Sequence, residues 1–105
     1  MHEPTMPSVD TDTLARLAQS GVVSQVSLAR GRYVGLDLSG VRFEAVDADG
    51  AVFEDCSIAE SVWQECRLDG ARFGRVDLSQ SRFMTCSGTE LCFAESNLAD
   101  TWWQD

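Results

Sequence analysis

The chain reads as an all-β protein, a four-sided coil of short parallel strands closed at its start by one helix. Three observations predict it. Large apolar residues recur at every fifth position from Leu28 to Trp103, and small residues recur two positions ahead of each. Like residues also recur at a spacing of twenty. The segment "RYVGLDLSGVRF", Arg32 to Phe43, is nearly repeated forty residues on as "RFGRVDLSQSRF", Arg72 to Phe83.

The large series runs Leu28, Tyr33, Leu38, Phe43, Ala48, Phe53, Ile58, Trp63, Leu68, Phe73, Leu78, Phe83, Gly88, Phe93, Leu98, Trp103, and it holds all five Phe of the chain. A period of five is neither helical nor simply stranded. Residues two apart on an extended segment point the same way, so the small and large members of each unit face inward together. The next small residue follows three positions later and would point outward on a straight strand. A corner must therefore turn the chain once per unit.

Stacking at twenty places Tyr33, Phe53, Phe73 and Phe93 in one column. Leu38, Ile58, Leu78 and Leu98 form a second, and Phe43, Trp63, Phe83 and Trp103 a third. The fourth, Leu28, Ala48, Leu68 and Gly88, is thin. A spacing of fifteen would stack aromatic on aliphatic residues, so four units make one circuit. Coils then rise by about 4.8 Å, the spacing between strands of a sheet. The forty-residue match is two full coils, as is that of "FEDCSIAESVWQE" with "FAESNLADTWWQD", and both point to duplication of a two-coil block.

Units such as "SNLAD", "ARFGR" and "VDLSQ" carry the pattern of a small residue, any residue, then Leu or Phe. In this the chain, from about Val26 to Asp105, resembles the pentapeptide repeat proteins. The resemblance implies a right-handed quadrilateral parallel β-helix of about four coils over residues 26–105. Ala48 and Gly88 depart from the pattern. Many members of that family have no known activity; its best understood ones protect DNA gyrase and topoisomerase IV from quinolones or peptide toxins by resembling a DNA duplex.

Residues 1–25 are expected to hold a mobile start and a capping helix over about residues 12–20. In that helix Asp12 caps the first turn, Gly21 ends it, and Leu14, Leu17 and Ala18 share one face. At the other end Phe93, Leu98 and Trp103 face upward with nothing above them, so a homodimer through the C-terminal coil is expected. Trp102 lies sideways in the column Arg42, Val62, Arg82, Trp102, either resting on the Arg82 stem or anchoring an interface.

Seventeen acidic residues against eight basic ones, all Arg, leave a net charge of −9. That balance disfavours direct contact with nucleic acid or an anionic membrane and permits a basic partner. No apolar run reaches the roughly 20 residues of a membrane span, and the start carries no secretion signal, so a cytoplasmic location is expected.

Catalytic chemistry is scarce. The only His is His2, there is no Lys, and paired carboxylates such as Glu54 and Asp55 lie on convex faces. No enzyme, cofactor or metal site is expected. Of the four cysteines, Cys56, Cys66 and Cys86 belong to the inward small series and read as apolar filler, whereas Cys92 is outward. The function expected is a non-enzymatic protein–protein interaction module with an unidentified protein partner. The alternative is a DNA-mimicking protector or inhibitor of DNA gyrase or topoisomerase IV.

Overall fold

The computed structural model describes residues 7–104; His2, Pro4 and Asp105 lie outside this range. One helix, α1 (Thr11–Ala18), precedes nine three-residue strands. These are β1 (Val22–Ser24), β2 (Arg32–Val34), β3 (Arg42–Glu44), β4 (Val52–Glu54), β5 (Val62–Gln64), β6 (Arg72–Gly74), β7 (Arg82–Met84), β8 (Cys92–Ala94) and β9 (Trp102–Gln104).

The strands form two parallel sheets, β1-β3-β5-β7-β9 and β2-β4-β6-β8, and each strand pairs with the residues twenty positions on. The other two sides are rows of single bridges: Ser8, Ser27, Asp47, Arg67 and Ser87 on one, Asp37, Ser57, Asp77 and Asn97 on the other. The result is a β-solenoid of about four coils with five-residue sides.

The corners have one conformation. From Gln25 to Asp100 every fifth residue has positive φ, whether Gly, as at Gly35, or not, as at Asp55 (φ 55°) and Thr85 (φ 56°). A left-handed residue after an extended one reverses the inward direction, which lets both small and large residues face the axis. Twelve of these corners are non-glycine, a conformation that L-residues resist. It is held by the coil above: Gln25 N–H donates to Glu44 O at 3.0 Å, and Asp55 N–H to Gly74 O at 3.0 Å.

The large series is buried through the first three coils, and so is the small series apart from the half-buried Gly31 and Leu36. Two aromatic columns flank the axis. Tyr33, Phe53, Phe73 and Phe93 stack at centroid distances of 5.3, 5.1 and 5.3 Å; Phe43, Trp63, Phe83 and Trp103 stack at 3.9, 5.8 and 4.0 Å. The columns meet edge to face, Trp63 lying 6.3 Å from Phe53 and 6.5 Å from Phe73. Gly88, the empty place in the thin column, is answered by an unusually large member of the small series. A Cβ built at Gly88 would lie 3.2 Å from Leu91 Cδ2.

The cysteines of the small series pack in the apolar core, Cys56 and Cys66 buried and Cys86 half-buried, and polar members of the series add bonds between coils. Five of its side chains reach a carbonyl of the coil below. Cys56 Sγ lies 3.5 Å from Tyr33 O, Cys66 Sγ 3.4 Å from Phe43 O, Ser81 Oγ 2.9 Å from Ile58 O, Cys86 Sγ 3.3 Å from Trp63 O and Ser96 Oγ 3.1 Å from Phe73 O. In every case the acceptor is twenty-three residues back. Ser and Cys thus satisfy backbone groups that Ala and Val leave to the ladder alone.

At the lower end the helix starts two residues earlier than the capping pattern predicts. Asp10, not Asp12, is the N-cap, its Oδ1 accepting from Thr13 N–H at 2.8 Å; Asp12 sits within the first turn. Leu14 is fully buried, and Leu17 and Ala18 pack against the core. The sheet also begins ahead of Val26, because β1 pairs with β3 and Ser8 bridges to Ser27. Helix α1 therefore replaces two sides of an incomplete first coil. Tyr33 secures it, its hydroxyl donating to Val9 O at 2.8 Å, and burial pushes the Tyr33 pKa up.

That arrangement requires a glycine at position 31, where a Cβ would lie 2.5 Å from the Tyr33 hydroxyl oxygen and 2.8 Å from its ring. Gly31→Ala is expected to displace Tyr33 and destabilise the chain by about 1–3 kcal/mol. Urea unfolding monitored by circular dichroism checks it; an unchanged midpoint would show that Tyr33 does not hold the lid.

Candidate interaction surface

The upper end differs from the lower one. Phe93 is half-buried and meets Trp103 edge to face, with ring centroids 6.3 Å apart at 78°. Leu98, Trp102 and Trp103 are exposed by 36%, 52% and 45%, whereas their counterparts one coil below, Leu78 and Phe83, are buried. Trp103 stacks on Phe83 at 4.0 Å and presents its other face outward. The residues that the repeat pattern assigns to an interface are thus brought to one end. Trp102 stands apart from the other three, on the outer surface of the five-stranded sheet, where Arg82 Cζ lies 5.8 Å from its ring centroid.

The outer surfaces of the two sheets carry a second pattern. The four outward arginines Arg32, Arg42, Arg72 and Arg82 all lie on strands, each separated from the next in its column by a valine, as in Arg32, Val52, Arg72 and Arg42, Val62, Arg82. Duplication in two-coil blocks keeps these like charges two coil heights apart, about 10 Å, rather than stacked at about 5 Å, where they would repel.

Only two acids lie on the strands, Glu44 and Glu54. Glu54 accepts from Arg32 Nε at 2.6 Å and lies 3.9 Å from Arg75. Most other acids sit at corners or on the bridge rows. The sequence shows the acids spread round the coil; the structure keeps most of them off the strand rows, while Glu54 pairs with Arg32 and Glu44 with Arg42.

Several acids are tied into the backbone. Asp37 and Asp77 accept from the backbone N–H groups of Ser39 at 3.1 Å and Ser79 at 3.0 Å, and these bonds lower both carboxyl pKa values; for Asp37 the Ser39 hydroxyl has the larger part. Asp49 accepts from Asp69 N–H, Asp69 from Thr89 N–H, and Arg67 lies 3.0 Å from Asp49. Arg75 bonds Asp55 at 2.6 Å and lowers its pKa. These carboxylates are committed to turns and ion pairs. Glu54 and Asp55, the candidate pair in the sequence, both lie against Arg75.

A shallow groove on the four-stranded face is lined by Val52, Glu54, Arg72, Gly74, Cys92 and Ala94. It exists because Gly74 and Ala94 are too small to fill the outward column above Glu54, a signal present in the sequence but lost among ordinary surface positions. Among the described residues, no helix is long and apolar enough to cross a membrane.

The class of protein follows from the register. A parallel β-solenoid whose coils repeat at twenty residues and turn at every fifth is consistent with a pentapeptide repeat protein. No protein-family model and no curated protein matches the chain. Two solved structures are similar in fold. One is a pentapeptide repeat protein, Rfr23, from the cyanobacterium Cyanothece 51142, at 12% identity over 78% of this chain and a TM-score of 0.43. The match spans 60% of that protein's length. The other is QnrB1, a plasmid-mediated fluoroquinolone resistance protein, at 13% identity over 93% of this chain and 74% of that one, with a TM-score of 0.31.

Proposed function

We propose that the chain is a non-enzymatic interaction module whose first contact is with a second copy of itself through the last coil. The observation that carries this is the apolar end formed by Phe93, Leu98 and Trp103, continuous with columns that are fully buried one coil below. A contiguous apolar surface of this kind favours cover. Meeting the same surface about a two-fold axis closes the assembly, and α1 blocks head-to-tail stacking at the other end.

Light scattering should find a dimer for the native chain and a monomer for Trp103→Glu, which places a charge in the contact. A native chain that stays monomeric at high concentration rules the self-association out.

A second reading is favoured by the net charge of −9: a protector or inhibitor of DNA gyrase or topoisomerase IV that mimics DNA. Two features weigh against it. The five strands of the larger sheet span about 19 Å, under six base pairs even before doubling in a dimer. Its outer surface also presents Arg42 and Arg82 where a duplex would present phosphates. A gyrase supercoiling assay, with and without a quinolone, separates the readings. Inhibition or protection at stoichiometric protein supports the mimic; no effect leaves a different protein partner.

A further inference from the structure

Cys66 and Cys86 are consecutive members of one inward column, Val26, Val46, Cys66, Cys86, and join the third coil to the fourth. Ser87 N–H donates to Cys66 O at 3.1 Å, which holds the two coils in register at this point. Stacked coils place the two Cα atoms about 4.8 Å apart, within the range of about 4.4–6.8 Å that a disulfide spans. The column of Ser61 and Ser81 shows how closely such stacked side chains meet, their hydroxyl oxygens lying 3.0 Å apart.

The two thiols differ in access. Cys66 is buried; Cys86 is partly open, and its neighbours Ser87 and Gly88 are exposed. Gly88 stands where Leu28 and Leu68 cover the equivalent thin column below, so no inward side chain at that position shields Cys86.

We propose that Cys66 and Cys86 form an oxidation site, at which a peroxide converts the two thiols to a disulfide linking the third and fourth coils. The Cys86 sulfur attacks the peroxide, forming an S–O bond as the O–O bond breaks, and the departing oxygen takes a proton to leave as water or an alcohol. The Cys66 sulfur then attacks the Cys86 sulfenic sulfur. The S–S bond forms, the S–O bond breaks, and hydroxide leaves with the Cys66 proton as water. Two thiols lose two electrons and two protons, and one peroxide is reduced. The acid–base setting agrees: the adjacent Cys66 thiol holds the Cys86 pKa below the usual thiol value, while the same proximity and burial raise Cys66. An accessible thiolate beside a protonated partner is the arrangement that peroxides oxidise selectively.

The test is peroxide titration of the reduced full chain, at a dilution where light scattering finds monomer, followed by denaturing alkylation and intact mass. Native protein should lose two of its four alkylation sites and about 2 Da. Cleavage at Glu90 separates Cys86 from Cys92, and the linked peptides should carry Cys66 and Cys86. Cys86→Ser should retain its remaining three sites, whereas Cys92→Ser should still lose two. Serine suits the column, since Ser81 and Ser96 make the same bond to the coil below. Four sites retained until sulfinic acid appears, or a cross-link mapped to Cys92, would overturn the proposal; because mapping uses the native chain, this holds even if a variant misfolds.

Discussion

Phe73→Ala is expected to lower the unfolding free energy by about 3–5 kcal/mol, the usual cost of truncating a buried aromatic. Phe73 is 1% exposed, stacked between Phe53 at 5.1 Å and Phe93 at 5.3 Å, and touches Trp63 with its edge. Truncation leaves a void in mid-column. Neighbouring rings cannot close it without breaking the register of β4, β6 and β8, which hydrogen bonds hold on both sides. Ala48→Leu, in the thin column, is expected to cost less, about 1–3 kcal/mol from overpacking. Guanidinium titration of both variants measures the difference. Equal losses would mean that the thin column is packed as tightly as the aromatic one.

Trp63→Ala is expected to cost as much, about 3–5 kcal/mol, for a second reason besides the void. Trp63 is fully buried, stacks on Phe43 at 3.9 Å, and donates from Nε1 to Ser61 Oγ at 2.9 Å. Ser61 is bonded to Ser81, and Ser81 donates to Ile58 O, so one indole N–H heads a buried polar chain within an apolar core. Trp63→Phe keeps a six-membered ring but removes the rest of the indole together with the N–H; the expected loss is smaller, about 1–3 kcal/mol, because part of the stack remains and Ser61 keeps Ser81 as a partner. Denaturant midpoints, with slopes unchanged, measure the two losses. A Phe variant as unstable as the Ala variant would assign the effect to the N–H-bearing half of the indole rather than to the six-membered ring.

The sequence alone determined the period, the four-sided circuit, the three full columns with their members, and the presence of a helix at the start. A period is legible because burial selects residue type: Tyr33, Phe53, Phe73 and Phe93 share one environment and so share one chemistry. The candidate end residues Phe93, Leu98, Trp102 and Trp103 were legible for the same reason, each place in the coil being set by counting in fives.

Tertiary structure decided what counting cannot reach. The left-handed corners fall on Gln, Arg, Gly, Ala, Asp, Glu and Thr alike, because the turn of the coil requires that conformation and, from Gln25 to Thr85, a hydrogen bond to the next coil holds it; no residue type announces it. The cap at Asp10 rather than Asp12 was settled by where α1 must lie for Leu14 to close the coil, a packing choice between two aspartates of equal capping ability. The bonds of Cys56, Cys66 and Cys86 to the coil below depend on a carbonyl twenty-three residues away, a distance along the chain that becomes contact only once the coils are stacked.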